Sequence, residues 1–402
     1  MRANSYQLPP LQPGRQMAKR KERPRRHAAA SPSVPPKHFF RRHGVFGVVF
    51  SILLTVLLLE AGTRLLRPPL SYEEWRRASL RYVYNPNWHW SLRPGEYIAP
   101  QGTVVINAQG LRGPSIAAKK PEGVTRIVCL GGSSTFNYGA RQGRTWPARL
   151  SERLSRQLGR PVEVINGGTP GYSSYQSSKR FEHQFSEWEP DLVVIYHMWN
   201  DLKNFWMTDA EELIQKWDIH GRFNEASTLL DPLPFLDRLC SVSQFATHMR
   251  FAWIRYLMKK RSVNDEGWTH PELDKQIAPA GVEFYRSNLE RVARICEDRS
   301  IPFLIVDQPM LLTATSTRQE MSKVAFQATG FRPGILLQAI GLSYDVNADV
   351  AERYTFTSRV PTAGFPHNLQ HFSDHVHLRE RGLAAVAQFL TPPCLAALHR
   401  SP

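Results

Sequence analysis

Cysteine is scarce in this chain, and metal-binding or disulfide-forming spacings of Cys are absent. Only four of the 402 residues are Cys, and no two of them form a C-x-x-C pair. This excludes a cysteine-based zinc site and a disulfide scaffold, although an exported domain could still form one bridge. Cys129 and Cys296 fall in apolar patterns, so we expect both to pack as small hydrophobic residues.

Motifs of nucleotide-dependent enzymes and of common zinc hydrolases are missing too. The sequence contains no G-x-G-x-x-G, no G-x-x-x-x-G-K-[ST] and no H-E-x-x-H. We therefore predict no cofactor. No internal repeat is visible, and the length fits one large domain or two modest ones.

Acidic residues are nearly absent from the first 43 residues, which hold eleven Lys or Arg and one Glu. The formal net charge of the whole chain is +16, so most of it lies in this Pro-rich stretch, which lacks the apolar residues needed to fold. A nucleic-acid-binding domain would carry its charge on a folded surface. We predict a disordered basic tail over residues 1–43 and no nucleic-acid partner, despite the basic run KRKERPRR.

One long hydrophobic run follows the tail, GVFGVVFSILLTVLLLEAGTRLL at residues 44–66. It approaches the ~20 residues that cross a bilayer, provided that Glu60 and Arg64 reach the interface. A signal peptide is disfavoured because no A-x-A-type cleavage site follows. We predict a single transmembrane helix, with the N-terminus in the cytoplasm and the following domain on the periplasmic or extracellular side, because Lys and Arg flank the start of the run.

Short apolar runs alternate with helical patterns in the predicted main domain, residues 121–402. The runs that predict strands are 125–130, 162–166, 191–196 and 301–309, with a weaker one at 341–346. Apolar residues recur at helical spacing in 148–158, 174–189, 283–298 and 379–390. This alternation predicts an α/β fold with a mainly parallel sheet that is covered on both faces.

Two segments depart from this alternation. Residues 67–120 are rich in Pro and aromatic residues, so we expect a lead-in that packs on the domain rather than a free linker. Residues 202–280 show no clear period and predict an insertion or lid. Its aromatic residues could pack the lid or stack on sugar rings; they are Trp206, Trp217, Phe223 and Phe235.

Small and polar residues follow the first three predicted strands. GGSST ends at residue 135, NGGTPG at residue 171 and HMWND at residue 201, while DHVH (374–377) precedes the last helix. Because the carboxyl ends of parallel strands meet at one edge of a sheet, we expect these blocks to share one crevice. Each block alone is more typical of a turn, a helix cap or a surface pair.

Together the four blocks contain a full set of groups for acyl transfer. Ser133 needs a base to become a nucleophile, and His377 can provide it. Asp374, three residues before His377, can hold that ring in place. The oxyanion that develops needs donors, which the Gly171 backbone and the Asn200 amide can supply.

The order and spacing of these blocks resemble those of the SGNH (GDSL-type) hydrolases over residues 104–392. The resemblance implies a three-layer α/β/α sandwich of flavodoxin-like type. It implies that Ser133 is both nucleophile and N–H donor, that Gly171 and Asn200 complete the oxyanion hole, and that Asp374 and His377 complete a triad. The hydrophobic run and the lead-in are similar to the membrane-anchored bacterial branch of this family.

Three details keep alternatives open within the resemblance. Gly132 stands where the family has the Asp of G-D-S, which leaves the hydrogen bonding of the loop open. Met198 stands where the family has the Gly of G-x-N-D, which puts the backbone near Asn200 in question. Only the register of the GGS block selects Ser133 over its neighbour Ser134 as the nucleophile.

The sequence therefore predicts a membrane-anchored serine esterase or acyl hydrolase that acts on small-molecule, carbohydrate or lipid esters. An O-acyltransferase acting on envelope or extracellular polysaccharide would use the same site. A non-catalytic, membrane-tethered binding module is a further hypothesis. So is a metal-dependent hydrolase that uses a cluster of His residues, namely His367, His371, His375 and His377, with His197 at a strand end.

Overall fold

The structure is a computed structural model. It describes residues 37–71, 81–99, 101–117, 119–226, 233–263, 270 and 272–400. Most of the predicted basic tail therefore lies outside the described residues. The described residues divide into two units, one that ends at residue 61 and one that begins at residue 62, and each is considered by itself below.

The first unit contains most of helix α1, Lys37–Leu66. This helix begins seven residues before the predicted transmembrane segment. Its sequence is rich in Leu and Val and contains no Pro, which permits an unbroken helix. The stretch Gly44–Leu66 has a mean hydropathy of 2.3 and is long and apolar enough to cross a membrane.

The second unit contains nine strands among the described residues. They are β1 (Tyr82–Asn85), β2 (His89–Leu92), β3 (Gly95–Ala99), β4 (Gly102–Ile106), β5 (Thr125–Gly131), β6 (Val162–Gly168), β7 (Leu192–Tyr196), β8 (Phe303–Val306) and β9 (Thr357–Val360). The α-helices after α1 are α2 (Ser133–Phe136), α3 (Trp146–Leu158), α4 (Ser174–His183), α5 (Trp199–Leu202), α6 (Ala210–Ala226), α7 (Pro234–Val242), α8 (Gln244–Val263), α9 (Pro279–Asp298), α10 (Arg318–Met321), α11 (Pro333–Arg353) and α12 (Glu380–Leu398).

A five-stranded parallel sheet forms the centre of this unit, in the order β6-β5-β7-β8-β9. Every residue of the central strand β5 is buried, as expected of a parallel strand covered on both faces. Ile127 and Cys129 of β5 contribute to the core on the α3–α12 side. Val128 and Leu130 contribute to the core shared with α4, α9 and α11. The predicted three-layer α/β/α sandwich is confirmed.

Local sequence signals account for several helix boundaries. Thr145 caps α3, which has Pro147 in its first turn and ends at Gly159 in a left-handed conformation. Ser173 and Gln176 form a capping box at the start of α4. The predicted helix over 174–189 is divided, because α4 ends at His183 and a 3-10 turn covers Phe185–Trp188.

The predicted strand at 341–346 is wrong. These residues lie inside α11, a 21-residue helix with Pro333 in its first turn. The buried residues of α11 recur at intervals of three and four, as on one face of a helix: Leu336, Ala339, Ile340, Ser343, Val346, Asn347 and Val350. A six-residue window showed too little of this period to reveal it. The fifth strand is β9, which follows the helix.

The predicted insertion or lid over 202–280 contains helices in its described part. Helices α6, α7 and α8 occupy most of its described part, while residues 227–232, 264–269 and 271 lie outside the description. Trp217 of α6 is buried and stacks on Tyr175 at a centroid distance of 5.4 Å. This ring therefore packs the protein interior, and it is not free to stack on a sugar.

In the predicted lead-in, β1 pairs with β2 and β3 pairs with β4 in two antiparallel hairpins. All four Cys are buried and free, so the bridge that the sequence left open does not form in the structure. Burial raises the pKa of the Cys129 and Cys296 thiols. Both residues belong to the hydrophobic core.

Candidate active site

Ser133 lies where β5 passes into the short helix α2. Ser133 is half-buried, whereas Ser134 is only 4 % exposed. The Ser134 carbonyl accepts hydrogen bonds from Asn137 and from the Trp146 indole. These contacts hold the backbone of Ser134 in place, and the residue is buried. Of the two hydroxyls that the sequence offered, the one on Ser133 faces the crevice.

A continuous series of hydrogen bonds links Ser133 to the segment before α12. The distance between His377 Nε2 and Ser133 Oγ is 2.8 Å. The other ring nitrogen, Nδ1, lies 2.8 Å from Asp374 Oδ2. Asp374 Oδ1 also accepts the backbone N–H groups of Val376 and His377, at 2.9 and 2.8 Å. A tight turn therefore fixes the carboxylate and the imidazole relative to each other.

The environment of Asp374 favours its ionised form. Burial alone would raise the pKa of this carboxyl group, but the hydrogen bonds from His377 and Val376 and the charge of His377 hold it well below its ordinary value. Asp374 is therefore a carboxylate throughout the neutral range. A carboxylate in this position fixes the tautomer of His377 with Nδ1 protonated and Nε2 free to accept a proton.

The remaining His residues of the proposed metal cluster do not converge. His367 Nδ1 pairs with the Met310 carbonyl, and His371 Nδ1 pairs with Asn368 Oδ1 at 2.9 Å. The His375 ring lies against Trp199 at a centroid distance of 4.0 Å, and burial lowers the pKa of His375 to about 4. Within the described part of the chain, no group of three His, Cys, Asp or Glu is placed to hold a metal ion.

Gly171 lies on the loop that follows β6, and Asn200 lies in the short helix α5 that follows β7. The Asn200 side-chain nitrogen donates to the Tyr172 carbonyl over 2.8 Å, and its second N–H remains for another acceptor. Gly171 has a φ of +85°, a left-handed conformation that favours glycine. Among the described residues, no acceptor is found for the backbone N–H of Ser133 or of Gly171.

Both departures from the family pattern have a local explanation. A Cβ atom on Gly132 would lie 2.9 Å from Asn200 Nδ2 and from the Tyr172 carbonyl. This position therefore accepts only glycine in the present arrangement. Met198 precedes α5 as its N-cap residue, with a φ of 179° and a ψ of −53°. The Met198 side chain is buried in the core, where a Gly would contribute no apolar contact.

A buried polar layer lies behind these loops. His197 Nε2 is 2.7 Å from the Ser177 hydroxyl, and Asp201 Oδ1 accepts the backbone N–H and the hydroxyl of Ser174 at 2.9 and 2.6 Å. Burial lowers the pKa of His197 to about 3. Burial raises the pKa of Asp201 to about 7, although the hydrogen bonds from Ser174 oppose this shift. His197 is therefore neutral at physiological pH.

Sequence reasoning missed residues that support the site. Gln308 Oε1 accepts the Trp199 N–H at 3.0 Å and so fixes the start of the helix that carries Asn200. Gln308 follows the fourth strand of the sheet, so the strand-end rule used for the other three strands could have found it. Trp90 of β2 lies 3.5 Å from the position of a Cβ on Gly171, a contact that no local pattern reveals.

An open cavity of about 260 Å³ lies beside the two loops. Its lining includes Gly171, Asn200, Lys203, Trp90 and His220. Lys203 is half-buried, and burial lowers the pKa of its ammonium group to about 8. Two larger cavities, of about 450 and 420 Å³, are lined by none of the five predicted site residues. The cavity beside Gly171 and Asn200 is thus lined by two of the five predicted site residues.

Comparison with known families supports the resemblance read from the four blocks. The model of the GDSL-like lipase/acylhydrolase family matches residues 129–255, a range that contains Ser133, Gly171 and Asn200. Residues 129–255 are therefore similar to this family, and for this part of the chain the family expectation is confirmed. No curated protein matches the chain.

Several solved structures are also similar to the chain. They include TesA (15 % identity, TM-score 0.40, covering 68 % of this chain and 99 % of that one). A lipase/acylhydrolase from Enterococcus faecalis is 14 % identical, with a TM-score of 0.38 and coverage of 68 % and 96 %. The acetyl xylan esterase AlAXEase is 14 % identical, with a TM-score of 0.37 and coverage of 67 % and 98 %.

Proposed function

We propose that the chain is a serine esterase or acyl hydrolase in which Ser133 is the nucleophile, His377 the base and Asp374 the orienting carboxylate. The observation that carries this proposal is the series Asp374–His377–Ser133, joined by two hydrogen bonds of 2.8 Å. These distances fall within the 2.6–3.2 Å that proton transfer between such groups requires. The family match adds the class of reaction.

In the first half of the reaction Ser133 Oγ attacks the ester carbonyl carbon while His377 Nε2 takes the hydroxyl proton. The carbonyl π electrons move onto oxygen, and Asp374 stabilises the imidazolium that forms. The oxyanion then re-forms the carbonyl and expels the alcohol, which receives the proton from His377. A water molecule, activated by the same ring, attacks the acyl-enzyme and releases the acid and free Ser133.

Three donors would stabilise the oxyanion in both halves of the reaction. They are the Ser133 N–H, the Gly171 N–H and the second N–H of Asn200. The contact from Asn200 to the Tyr172 carbonyl orients the amide before substrate binds. A fixed donor of this kind contributes about 3–4 kcal/mol to transition-state stabilisation in other serine hydrolases.

A fluorophosphonate probe tests the nucleophile directly. We expect the probe to label the wild-type chain and the Ser134→Ala variant, and not Ser133→Ala. Labelling that survives Ser133→Ala would show that another residue is the nucleophile. A panel of esters of increasing acyl length, assayed with and without an added oligosaccharide acceptor, then identifies the substrate. Free acid as the product supports a hydrolase, and transfer of the acyl group to the oligosaccharide would indicate an acyltransferase.

We also propose that α1 anchors the chain in a membrane, with the N-terminus in the cytoplasm and the catalytic domain on the outer side. The support is the apolar stretch Gly44–Leu66 and the excess of Lys and Arg before it. Protease added to spheroplasts, in which the outer face of the cytoplasmic membrane is accessible, should degrade the domain and leave a short protected fragment. Protection of the whole chain until lysis would contradict this orientation.

A further inference from the structure

The outer surface of α7 and α8 is unusually apolar. Outside α1, ten large apolar side chains are exposed in the described part of the chain, and eight of them lie between residues 233 and 256: Leu233, Phe235, Leu236, Leu239, Val242, Met249, Trp253 and Tyr256. We call these eight residues the apolar patch. A concentration of this kind marks an interaction surface, since monomeric proteins rarely expose large contiguous apolar areas.

The patch is separate from the small core that holds the two helices together. Cys240, Phe251 and Ile254 are buried and pack with Leu70. The exposed residues of α8 recur at intervals of four and three, from Met249 to Trp253 to Tyr256, which places them on one face of the helix. Each helix therefore buries one side in its own unit and presents a second apolar side to the surroundings.

Contacts within the second unit place this patch close to the end of the apolar span. Arg64 Nη2 donates to the Val242 carbonyl over 3.0 Å. The backbone N–H of Leu70 donates to the Gln244 side chain at 2.9 Å, and the Gln244 amide returns a hydrogen bond to the Leu70 carbonyl at 3.1 Å. Arg64 lies two residues before Leu66, the last residue of the span, or about 3 Å along a helix axis.

The composition of α8 fits a lipid surface. The sequence of α8 contains five Lys or Arg and no Asp or Glu, and a basic helix with an apolar face is typical of membrane-surface segments. Trp253 and Tyr256 stack at a centroid distance of 5.6 Å and are exposed by 59 % and 53 %. Trp and Tyr are the residues that accumulate at the boundary between lipid and water.

We propose that α7 and α8 dock on the bilayer, with the apolar patch inserted into the headgroup region beside the point where α1 leaves the membrane. This inference rests on the anchoring proposed above. Docking fixes the domain at a defined orientation close to the lipid surface. A free domain on a flexible tether would sample many orientations, whereas a docked one presents its crevice at a constant height above the membrane.

Spin labels on the full-length chain in liposomes containing anionic phosphatidylglycerol test the docking. The labelled variants are Val242→Cys, Met249→Cys and Trp253→Cys. The control is Glu283→Cys, because the Glu283 side chain, 67 % exposed, matches Val242 at 70 %. We expect the three patch labels to be more accessible to molecular oxygen than to a water-soluble nickel chelate, and the control label to show the reverse. Patch labels that behave like the control overturn the proposal.

Two further readouts separate docking from the other proposals. If the patch contacted a second copy of the chain, labels on the two copies would show magnetic coupling that disappears on dilution with unlabelled chain. That result would overturn bilayer docking. Flotation of the chain with liposomes after an alkaline wash reports the anchor, and hydrolysis of a soluble ester reports the Ser133 site. A chain that floats and hydrolyses while its patch labels stay in water fails only the docking inference. A chain that does not associate with liposomes overturns anchor and docking together.

Discussion

His377 Nε2 lies 2.8 Å from Ser133 Oγ, although 244 positions separate the two residues in the chain. The sheet brings them together, because β5 ends at Gly131 and the His377 segment crosses the same edge before α12. Ser133→Ala should therefore reduce kcat for ester hydrolysis by at least about 10³-fold without changing the thermal unfolding midpoint. The Ser133→Ala/His377→Ala double variant should lose little more than either single variant, since the two groups act as a unit. Additive losses would show that they act independently.

Replacing Asp374 with Asn removes the carboxylate and leaves a side chain of the same shape. We expect a loss in kcat on the order of 10⁴-fold, because Asn can favour the wrong tautomer of His377. Stability should also depend on pH. The pKa of Asp374 in the folded chain lies below its ordinary value of 3.8, so the carboxylate stabilises the fold above about pH 4 and this contribution is lost as the pH falls further.

The measurement for Asp374 is thermal unfolding of the wild type and of Asp374→Asn between pH 7 and pH 2. The difference between their midpoints should be largest at neutral pH and shrink in acid. A difference that stays constant across this range would contradict the assigned ionisation.

The short distances around Gly132 predict that a larger residue at this position lowers the activity. A methyl group at this position would lie 2.9 Å from Asn200 Nδ2 and from the Tyr172 carbonyl, so Gly132→Ala should displace the Asn200 amide. We expect kcat/KM to fall by about 10–100-fold, the scale of an ångström-sized misplacement. Gly341→Ala is the matched control, because nothing lies within 4 Å of its Cβ position and alanine favours the helix that contains it. Equal activity in both variants would refute the steric argument.

Candidate site residues could be chosen from the sequence because their side chains carry the chemistry and because Ser133, Gly171 and Asn200 follow continuous apolar runs. The sequence did not predict the Tyr172 carbonyl that holds Asn200, because a backbone group leaves no mark in the residue type. Gln308 was overlooked at the end of a strand that had been recognised. Whether such a group supports the site depends on which loops lie next to each other in the folded chain. The order of the strands in the sheet decides this, and that order is known only from the structure.

Two parts of the fold were predicted wrongly or not at all, because their apolar residues do not show a clear helical pattern. The six residues at 341–346 look like a strand because the helical period of α11 needs more than two turns to be visible. Helices α7 and α8 were hidden because each carries apolar residues on two sides, one buried and one exposed. A two-sided apolar helix does not show the single stripe that sequence patterns detect.

The buried residues His197 and Asp201 should affect stability in opposite directions with pH. The pKa of His197 is lowered from 6.5 to about 3 in the fold, so only the unfolded chain gains a proton on this residue between these values, and stability rises with pH. The pKa of Asp201 is raised from 3.8 to about 7, so the folded chain keeps a proton that the unfolded chain loses, and stability falls with pH. Each slope approaches about 1.4 kcal/mol per pH unit, and the two nearly cancel between pH 4 and 6.5.

Single substitutions should reveal each slope separately. Relative to the wild type, Asp201→Asn should become more stable as the pH rises from 4 to 6.5, because the rise due to His197 is no longer offset. His197→Asn should show the opposite trend, because only the fall due to Asp201 remains. Both Asn side chains can still pair with the neighbouring hydroxyls of Ser174 and Ser177, which limits other changes. Urea unfolding of the three chains at several pH values measures these slopes, and parallel pH curves for all three would show that neither shift exists in the folded protein.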